Sequence, residues 1–178
     1  MRKTEQAMTV TSIREAALEV AKRNVFGEEG ANNSGKFIEA MGGRPGSEWC
    51  GLYQHYNYRR AYEISGRWPP AWLYRRKGVP ETGAKRLVKN LAAVGRSFMD
   101  PMQARPGDLV CWSRGTLGWQ GHVGMVVSVD EDGIIKTLEG NVGKFPAKVK
   151  YLTHDVTKER LYMFASLEKY SPGAKGGE

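Results

Sequence analysis

The stretch SEWCGLYQHY, residues 47–56, places one of the two cysteines of the chain where a glycine-rich loop gives way to a helical pattern. Aromatic and apolar side chains recur at helical spacing from Trp49 to Tyr56, and Ser47 can serve as the N-cap. Cys50 therefore falls in the first turn of a predicted helix. Unpaired backbone N–H groups and the positive end of the helix dipole favour a thiolate there, so Cys50 is a candidate nucleophile.

Burial is the competing interpretation of both cysteines. Free cysteine is among the most buried residue types, and on position alone core packing is favoured over catalysis for Cys50. Cys111 lies in DLVCW among residues typical of a core strand, with no base nearby in sequence, so we interpret it as structural. The two thiols are far apart and form no C-x-x-C pair, which argues against a disulfide framework and a zinc site.

A thiol nucleophile needs a base, and the chain has three histidines. His122 is the best candidate, because in GWQGHVGMVVSVD it opens a predicted strand beside glycines that leave its ring approachable. His55 follows Cys50 by five residues, about 140° around a helix, so we expect it to point away from the thiol. We interpret His55 as a packing or surface residue. His154, in LTHDVTKER, is expected to be a solvated side chain in a polar turn.

Candidate partners for His122 follow on the next predicted strand. The chain turns at DEDG and returns as IIKTLEGN. If DEDG is a four-residue loop, Val129 pairs with Ile134, so that His122 faces Asn141. Glu139 then lies on the neighbouring diagonal of the same sheet face. A loop of odd length would reverse the side-chain direction and separate these residues. In isolation, Glu139 and Asn141 are as readily explained as an exposed acid and a turn residue.

Helices are predicted in the first half of the chain and strands in the second. The helices cover residues 12–25, KFIEAM, the stretch after Trp49 and GAKRLVKNLAAVG, and the strands are DLVCW, HVGMVVSVD, GIIKTLEGN and RLYMFASL. This order indicates an α+β domain. Alternate apolar residues from Val123 to Val129 predict that one sheet face packs while the other carries the polar site. Residues 1–170 are expected to form one domain and residues 171–178 a disordered tail.

The composition limits the partners. With 27 basic and 19 acidic residues, the net charge of +8 predicts attraction to an anionic polymer, which could be nucleic acid, a lipid surface or a cell wall with carboxylates. The N-terminus has no apolar run before a cleavage site, and no segment reaches the length of a membrane span. We therefore expect synthesis in the cytoplasm without a signal peptide and no membrane insertion.

Taken in order, W-C-G at a helix start, P-G-D-L-V-C-W, W-Q-G-H-V-G and E-G-N closely resemble the CHAP family of cysteine, histidine-dependent amidohydrolases and peptidases. The resemblance spans about residues 13–165. It implies a papain-like fold, in which N-terminal helices pack on a central antiparallel β-sheet, with the nucleophile on a helix and the histidine on the sheet. This layout agrees with the one inferred from the residues.

The resemblance also implies roles for the site residues. Cys50 would attack an amide carbonyl, His122 would act as its base and then protonate the leaving amine, and Glu139 would orient His122 while Asn141 assists. The implied substrate is a peptidoglycan amide, either the N-acetylmuramoyl-L-alanine bond or a peptide bond within the stem or bridge. The expected substrate contacts are Trp49, Trp119, Gln120 and Trp68.

Three features bear on this interpretation. The family motif usually continues after the cysteine with small residues and an apolar run, whereas here Gly51 is followed by LYQHYNYRRAY. Some CHAP lysins carry an acidic calcium loop near the cysteine, but MGGRPGSEWCGLY holds only Glu48, so no metal and no other cofactor is expected. A basic region could line a groove for a carboxylate-rich polymer or could be a solvated surface with its aromatics in the core: Arg59, Arg60, Arg67, Arg75, Arg76 and Lys77, with Trp68 and Trp72.

The leading hypothesis is a monomeric lytic enzyme that cuts peptidoglycan through a thioester. It would reach the wall as a phage lysin released through a holin or as an injected antibacterial effector with an immunity protein. The alternatives are a non-catalytic wall-binding module on the same scaffold, and nucleic-acid binding driven by charge. Retention of the four predicted catalytic residues argues against the first, and the lack of a recognised motif against the second. A zinc site is disfavoured because the cysteine and histidine spacings match no known ligand set.

Overall fold

The computed structural model describes residues 12–76 and 78–168. The tail at residues 171–178 and the first eleven residues lie outside these ranges, so the predicted domain limits stay predictions. Within the described ranges the chain forms four α-helices and eight β-strands. Two of the strands lie between the third and fourth helices, and six follow the fourth. The helices are α1 (Ile13–Arg23), α2 (Lys36–Ala40), α3 (Cys50–Ile64) and α4 (Ala84–Val94). The four predicted helices are thus confirmed. Ser12 begins α1 as its N-cap, accepting the backbone N–H of Glu15 at 3.2 Å.

The strands form a small hairpin and one large sheet. They are β1 (Tyr74–Arg76), β2 (Val79–Pro80), β3 (Arg96–Phe98), β4 (Leu109–Ser113), β5 (Gly121–Val129), β6 (Ile135–Val142), β7 (Lys148–His154) and β8 (Leu161–Ser166). Strands β1 and β2 pair with each other, and the other six form an antiparallel sheet in the order β3-β8-β4-β5-β6-β7. The predicted α+β class with a central antiparallel sheet is confirmed.

Helix α3 is buried between the sheet and the other helices. The hydroxyl of Tyr53 donates to the Ala21 carbonyl of α1 at 2.8 Å, and the amide of Gln54 donates to the Leu138 carbonyl of β6 at 3.0 Å. Both polar groups are thereby satisfied in the interior, and they fix the helix along its length. The first residue of α3 is consequently held at one end of β5 and β6.

The opposite sheet face carries a second, smaller apolar cluster. Its buried members are Phe98, Ala104, Val110, Trp112, Val126, Ile135, Val156 and Phe164. The prediction that one face packs and the other is polar is therefore incomplete. Both faces pack, and the polar site is confined to the end of the second face near His122.

The β5–β6 register depends on two compensating irregularities. The connection runs from Asp130 to Ile134, one residue longer than predicted, so Val129 pairs with Ile135 rather than Ile134. A bulge between Val126 and Ser128 then restores the predicted register, in which Met125 pairs with Leu138. Continued towards the start of β5, this register keeps His122 and Glu139 on one face.

Candidate active site

A cleft of about 330 Å³ opens at the N-terminal end of α3. It is bounded by the start of that helix, by the loop before α4, by the loop between β4 and β5, and by the adjoining ends of β5 and β6. Cys50, His122 and Asn141 all line it. Residues that are distant in sequence therefore meet in one solvent-accessible depression.

Cys50 is the first residue of α3, as expected from its place in the first turn. The N-cap is Trp49 rather than Ser47, and no side chain caps the helix. The first-turn N–H groups are thus free of a side-chain acceptor and can face a ligand in the cleft. Cys50, 6% exposed, lies close enough to His122 in the cleft for its sulfur to raise the pKa of that ring. The competing view of Cys50 as core filling does not account for this contact.

His122 lies between Cys50 and a buried carboxylate. Its Nε2 is 2.6 Å from Oε2 of Glu139, so the other ring nitrogen, Nδ1, is the one available to Cys50. Burial disfavours the charged ring, but the hydrogen bonds and negative charges of Cys50 and Glu139 outweigh it and raise the pKa of His122 to about 9. The imidazole is therefore held protonated at neutral pH.

Glu139 is completely buried and accepts three hydrogen bonds. Besides His122, the donors are Nε2 of His154 at 2.7 Å and the hydroxyl of Thr137 at 2.5 Å, both to Oε1. Burial opposes ionisation, but these bonds and the charge of His122 lower the pKa of Glu139 to about 2. Gly124 makes room for the carboxylate, since a Cβ there would lie 2.9 Å from Cγ of Glu139.

The comparisons with known proteins agree with this arrangement. A profile of the CHAP domain matches residues 42–141, more than half of the chain. The chain belongs to the CHAP family. This is a family of peptidoglycan hydrolases and amidases, whose members are typically cysteine, histidine-dependent amidohydrolases or peptidases. The matched segment begins just before α3 and ends at Asn141, so it contains the whole Cys50–His122–Glu139 arrangement.

A solved structure described as "The crystal structure of Ly7917" is similar in fold to this CHAP protein. The TM-score is 0.51 at 17% sequence identity, and the match covers 86% of this chain and 62% of that chain. The chain therefore spans less than two thirds of the length of Ly7917. At this identity the likeness supports the papain-like CHAP fold alone. No curated protein matches the chain.

Asn141 lines the cleft of the CHAP domain, and within the described residues no hydrogen bond joins it to His122. A bulge between Glu139 and Val142 puts Asn141 at φ 61°, in the left-handed region, which turns its side chain out of the alternation of the strand. Its amide donates instead to Oε2 of Glu48 at 2.7 Å. The bulge changes the regular pairing on which the expected approach of Asn141 to His122 was based, and the assisting role of Asn141 stays a prediction.

The position of His154 differs from the one that its sequence predicts. It is the last residue of β7 rather than a solvated turn side chain, and it is 9% exposed. Its Nδ1 lies 2.6 Å from Oε1 of Glu159, and its ring centroid lies 4.4 Å from that of Trp112. The alternation in KVKYLTH was the available signal for β7, but the strand is at the sheet edge and carries several polar residues.

Two of the four predicted substrate contacts line the cleft, and two do not. Trp119, 73% exposed, and Gln120 line the cleft. Trp49 is 0% exposed, donates to the carboxylate of Glu29 and cannot touch a substrate in this structure. Trp68 is 94% exposed and follows the C-terminal end of α3, whereas the cleft opens at the other end of that helix and is not lined by Trp68. The expectation for Trp49 is therefore wrong, and a substrate contact at Trp68 stays a prediction.

Cys111 and His55 are packing residues, as predicted. Cys111 is completely buried in β4, and burial raises the pKa of its thiol to about 12. His55 lies inside α3 with its ring centroid 5.3 Å from that of Tyr74. Burial, with the neighbouring charge of Arg59, lowers the pKa of His55 to about 4. Neither residue belongs to the cleft.

Gly51, the small residue directly after Cys50, is required for a steric reason. A Cβ at this position would lie 2.1 Å from the carbonyl oxygen of Thr82. The loop before α4 can therefore approach the start of α3 only because residue 51 has no side chain. Since Thr82 lines the cleft, this close approach sets one wall of the site.

The members of the predicted basic groove differ in their surroundings. Arg59 and Arg60 pair with Glu63 on α3, and Trp72 is buried with its ring centroid 5.3 Å from that of Tyr58. Arg75 and Arg76 lie on β1, and Lys77 lies outside the described residues.

Among the described helices, none is both long enough and apolar enough to cross a bilayer.

Proposed function

We propose that this CHAP domain hydrolyses an amide bond of peptidoglycan through a thioester on Cys50. The observation that carries the proposal is the placement of Cys50 beside His122 at an uncapped helix end in an open cleft, with His122 hydrogen-bonded to the buried Glu139. A nucleophile, a base and an orienting group in mutual contact are the parts that covalent amide hydrolysis requires. The CHAP family supplies the substrate class.

In the first half of the reaction, the proton of the Cys50 thiol passes to Nδ1 of His122, and the resulting thiolate attacks the amide carbon as the carbonyl π electrons move to oxygen. The backbone N–H of Cys50, in the first turn of α3, can donate to that oxyanion. As the oxyanion collapses, the C–N bond breaks and Nδ1 of His122 gives its proton to the leaving amine. The raised pKa of His122 suits this step, since a protonated ring is the form needed to donate.

In the second half, water must attack the thioester. The ring of His122 is neutral after its proton has left with the amine. Formation of the thioester also removes the negative sulfur that raises the pKa of His122, so the pKa falls and the neutral ring can act as base. The ring takes a proton from water as the oxygen attacks, and the C–S bond breaks to release a carboxylic acid and Cys50. Glu139 keeps Nε2 protonated throughout, so that Nδ1 is the nitrogen that exchanges protons.

The bond cut is either the N-acetylmuramoyl-L-alanine amide or a peptide bond of the stem or bridge. The net charge of +8 favours adsorption to a wall polymer with free carboxylates. A phage lysin or an injected effector with an immunity partner is the biological setting that we propose for such an activity. Its passage to the wall through a holin or by injection, and its monomeric state, stay predictions.

The test is product analysis. Purified protein under reducing conditions should release soluble fragments from isolated sacculi, and mass spectrometry of the new ends identifies the bond. A free L-alanine amine together with a free lactyl carboxylate on muramic acid indicates an amidase, and a new amine within the stem or bridge indicates an endopeptidase. The His122→Asn variant is the control and should release neither product. Folded wild-type protein that releases no fragment from sacculi of any stem composition would contradict the proposal.

A further inference from the structure

A second groove, of about 420 Å³, adjoins the catalytic cleft. Thr82 lines both, and Ser47 of the groove precedes Glu48 of the cleft. A substrate bound across Cys50 can therefore continue into the groove past Thr82. The rest of the wall comes from the loop before α3 and from the β1–β2 hairpin.

Three arginines face this groove: Arg44, Arg75 and Arg76. All three are exposed, and within residues 12–76 and 78–168 none of them forms an ion pair. By contrast, Arg14, Arg59, Arg60, Arg86 and Arg105 each pair with a carboxylate. Like charges gathered without counter-ions repel one another, and a bound anion relieves that repulsion.

We propose that this arginine groove binds a free carboxylate of the peptide on one side of the scissile amide. The inference rests on the proposed function and narrows its substrate to stems whose carboxylates are not amidated. Guanidinium groups match carboxylates in charge and in planar, two-point hydrogen-bonding geometry. The hydroxyls of Ser47 and Thr82 offer further donors to the same ligand.

Binding to the Cys50→Ala protein tests the groove without turnover. The probes are a fluorescent stem peptide with free carboxylates and the same peptide with those groups converted to carboxamides. We expect the free acid to bind at least about tenfold more tightly, and Arg75→Gln/Arg76→Gln to abolish that preference. The control is the double variant Arg59→Gln/Arg60→Gln. It removes the same number of positive charges outside the groove and should keep the preference for the free acid.

The outcomes separate the groove from the proposed function. The proposed carboxylate site would be wrong if the two peptides bound equally, or if both double arginine variants lost the preference for the free acid equally. Either result would count against the groove even if the wild-type protein cuts sacculi. A preserved preference in a wild-type protein that cuts nothing would instead overturn the proposed function and leave the groove standing.

A different observation concerns His154, on the far side of Glu139 from the nucleophile. Both of its ring nitrogens face carboxylate oxygens, at 2.7 Å from Glu139 and 2.6 Å from Glu159. An ionised carboxylate accepts hydrogen bonds and cannot donate, so the ring donates from both nitrogens and carries a positive charge. The Trp112 ring covers it, and Thr137 shares the same oxygen of Glu139.

The geometry points to His154 as a positioning residue that fixes the carboxylate of Glu139 and balances its charge. Without this second cation, Glu139 would hold the proton on His122 more strongly. That would hinder the second half of the reaction, in which His122 must act as a neutral base. His154 thus sets how readily His122 changes between its acid and base forms.

Proton NMR titration of the histidine rings tests this role independently of substrate. We expect His154 to be doubly protonated at neutral pH, and His154→Gln to move the titration midpoint of His122 upward by about one pH unit. Glutamine can still donate to Glu139 but carries no charge. The control is His55→Gln, which removes another buried histidine and should leave the His122 midpoint unchanged.

Glu159→Gln provides a second variant if His154→Gln fails to fold. It removes one of the two carboxylates that hold the proton on His154, so the midpoint of His154 should fall. A His154 ring that is neutral at pH 7, or a His122 midpoint that does not move in His154→Gln, would overturn the role. If His154→Gln lowered the free energy of unfolding and left the titration midpoint of His122 unchanged, the role of His154 would be structural.

Discussion

Cys50 and Cys111 are both buried thiols, yet the structure gives them opposite surroundings. Cys50 begins a helix, borders a cleft and lies near enough to the His122 imidazole to raise its pKa. Cys111 lies inside β4 among apolar side chains, and burial raises the pKa of its thiol to about 12. The charge of Cys50 contributes to that rise, so the two sulfurs are near enough to interact. Reactivity therefore depends on the polar groups facing each sulfur rather than on its burial.

The largest expected difference between the two thiols is in turnover. Cys50→Ala should reduce fragment release from sacculi by at least about a thousandfold, since no other group can form the thioester. Cys111→Ala should stay within about threefold of wild type, because Cys111 does not line the cleft. The measurement is the initial rate of soluble muropeptide release. Unchanged release by Cys50→Ala would remove the catalytic distinction between the two.

The second expected difference is in alkylation of the native protein. Iodoacetamide should modify Cys50 on the order of a hundredfold faster than Cys111, because Cys111 must wait for local unfolding. Peptide mapping by mass spectrometry after timed quenching gives both rates in one sample. Adding denaturant is the control and should bring the two rates together. Faster labelling of Cys111 in the native protein would contradict the described packing of β4.

Local patterns were sufficient to predict the Cys50 side of the site. Helical spacing after Trp49 placed Cys50 in the first turn, and the flanking glycines singled out His122. Glu139 was placed on the correct face although the assumed loop length was wrong, because the bulge in β5 cancels the extra loop residue. Register at a site is thus predictable only when all irregularities between the turn and the site are included.

Residues whose positions depend on distant packing could not be predicted in this way. His154 reaches Glu139 because β7 pairs with β6, and nothing local in LTHDVTKER indicates that neighbour. Trp49 and Trp119 also look alike in sequence, yet one is in the core and the other borders the cleft. Tertiary contacts decide which aromatic side chains remain available to a ligand.

The pH dependence of stability should also differ between the two regions. His122, with its pKa raised from 6.5 to about 9, contributes stability that is complete below about pH 6.5 and is lost as pH rises through 9. Glu139, with its pKa lowered from 4.5 to about 2, contributes stability that is complete above pH 4.5 and is lost as pH falls through 2. The stability that wild type gains over Glu139→Gln should therefore be greatest between about pH 4.5 and 6.5.

Chemical denaturation across the pH range measures this difference in the free energy of unfolding. The gain should decline between pH 6.5 and 9, and again below pH 4.5. Cys111→Ala serves as the comparison, because no charge is lost in its apolar surroundings and its effect should not follow that profile. A constant difference between wild type and Glu139→Gln at all pH values would contradict the proposed charge pairing of His122 and Glu139.

The smallest expected effect is the cost of removing the Cys111 sulfur. Cys111→Ala deletes one heavy atom from a fully packed strand, so the free energy of unfolding should fall by about 1 kcal/mol. Cys111→Ser should cost more, because it buries a hydroxyl among apolar neighbours, and the Trp112 carbonyl that accepts from the thiol at 3.7 Å is too distant for a good hydrogen bond from oxygen. Denaturant unfolding of the two variants measures both costs. If Cys111→Ser lowered the free energy of unfolding less than Cys111→Ala, the surroundings of Cys111 would be polar. The two cysteines would then differ only in their distances from His122.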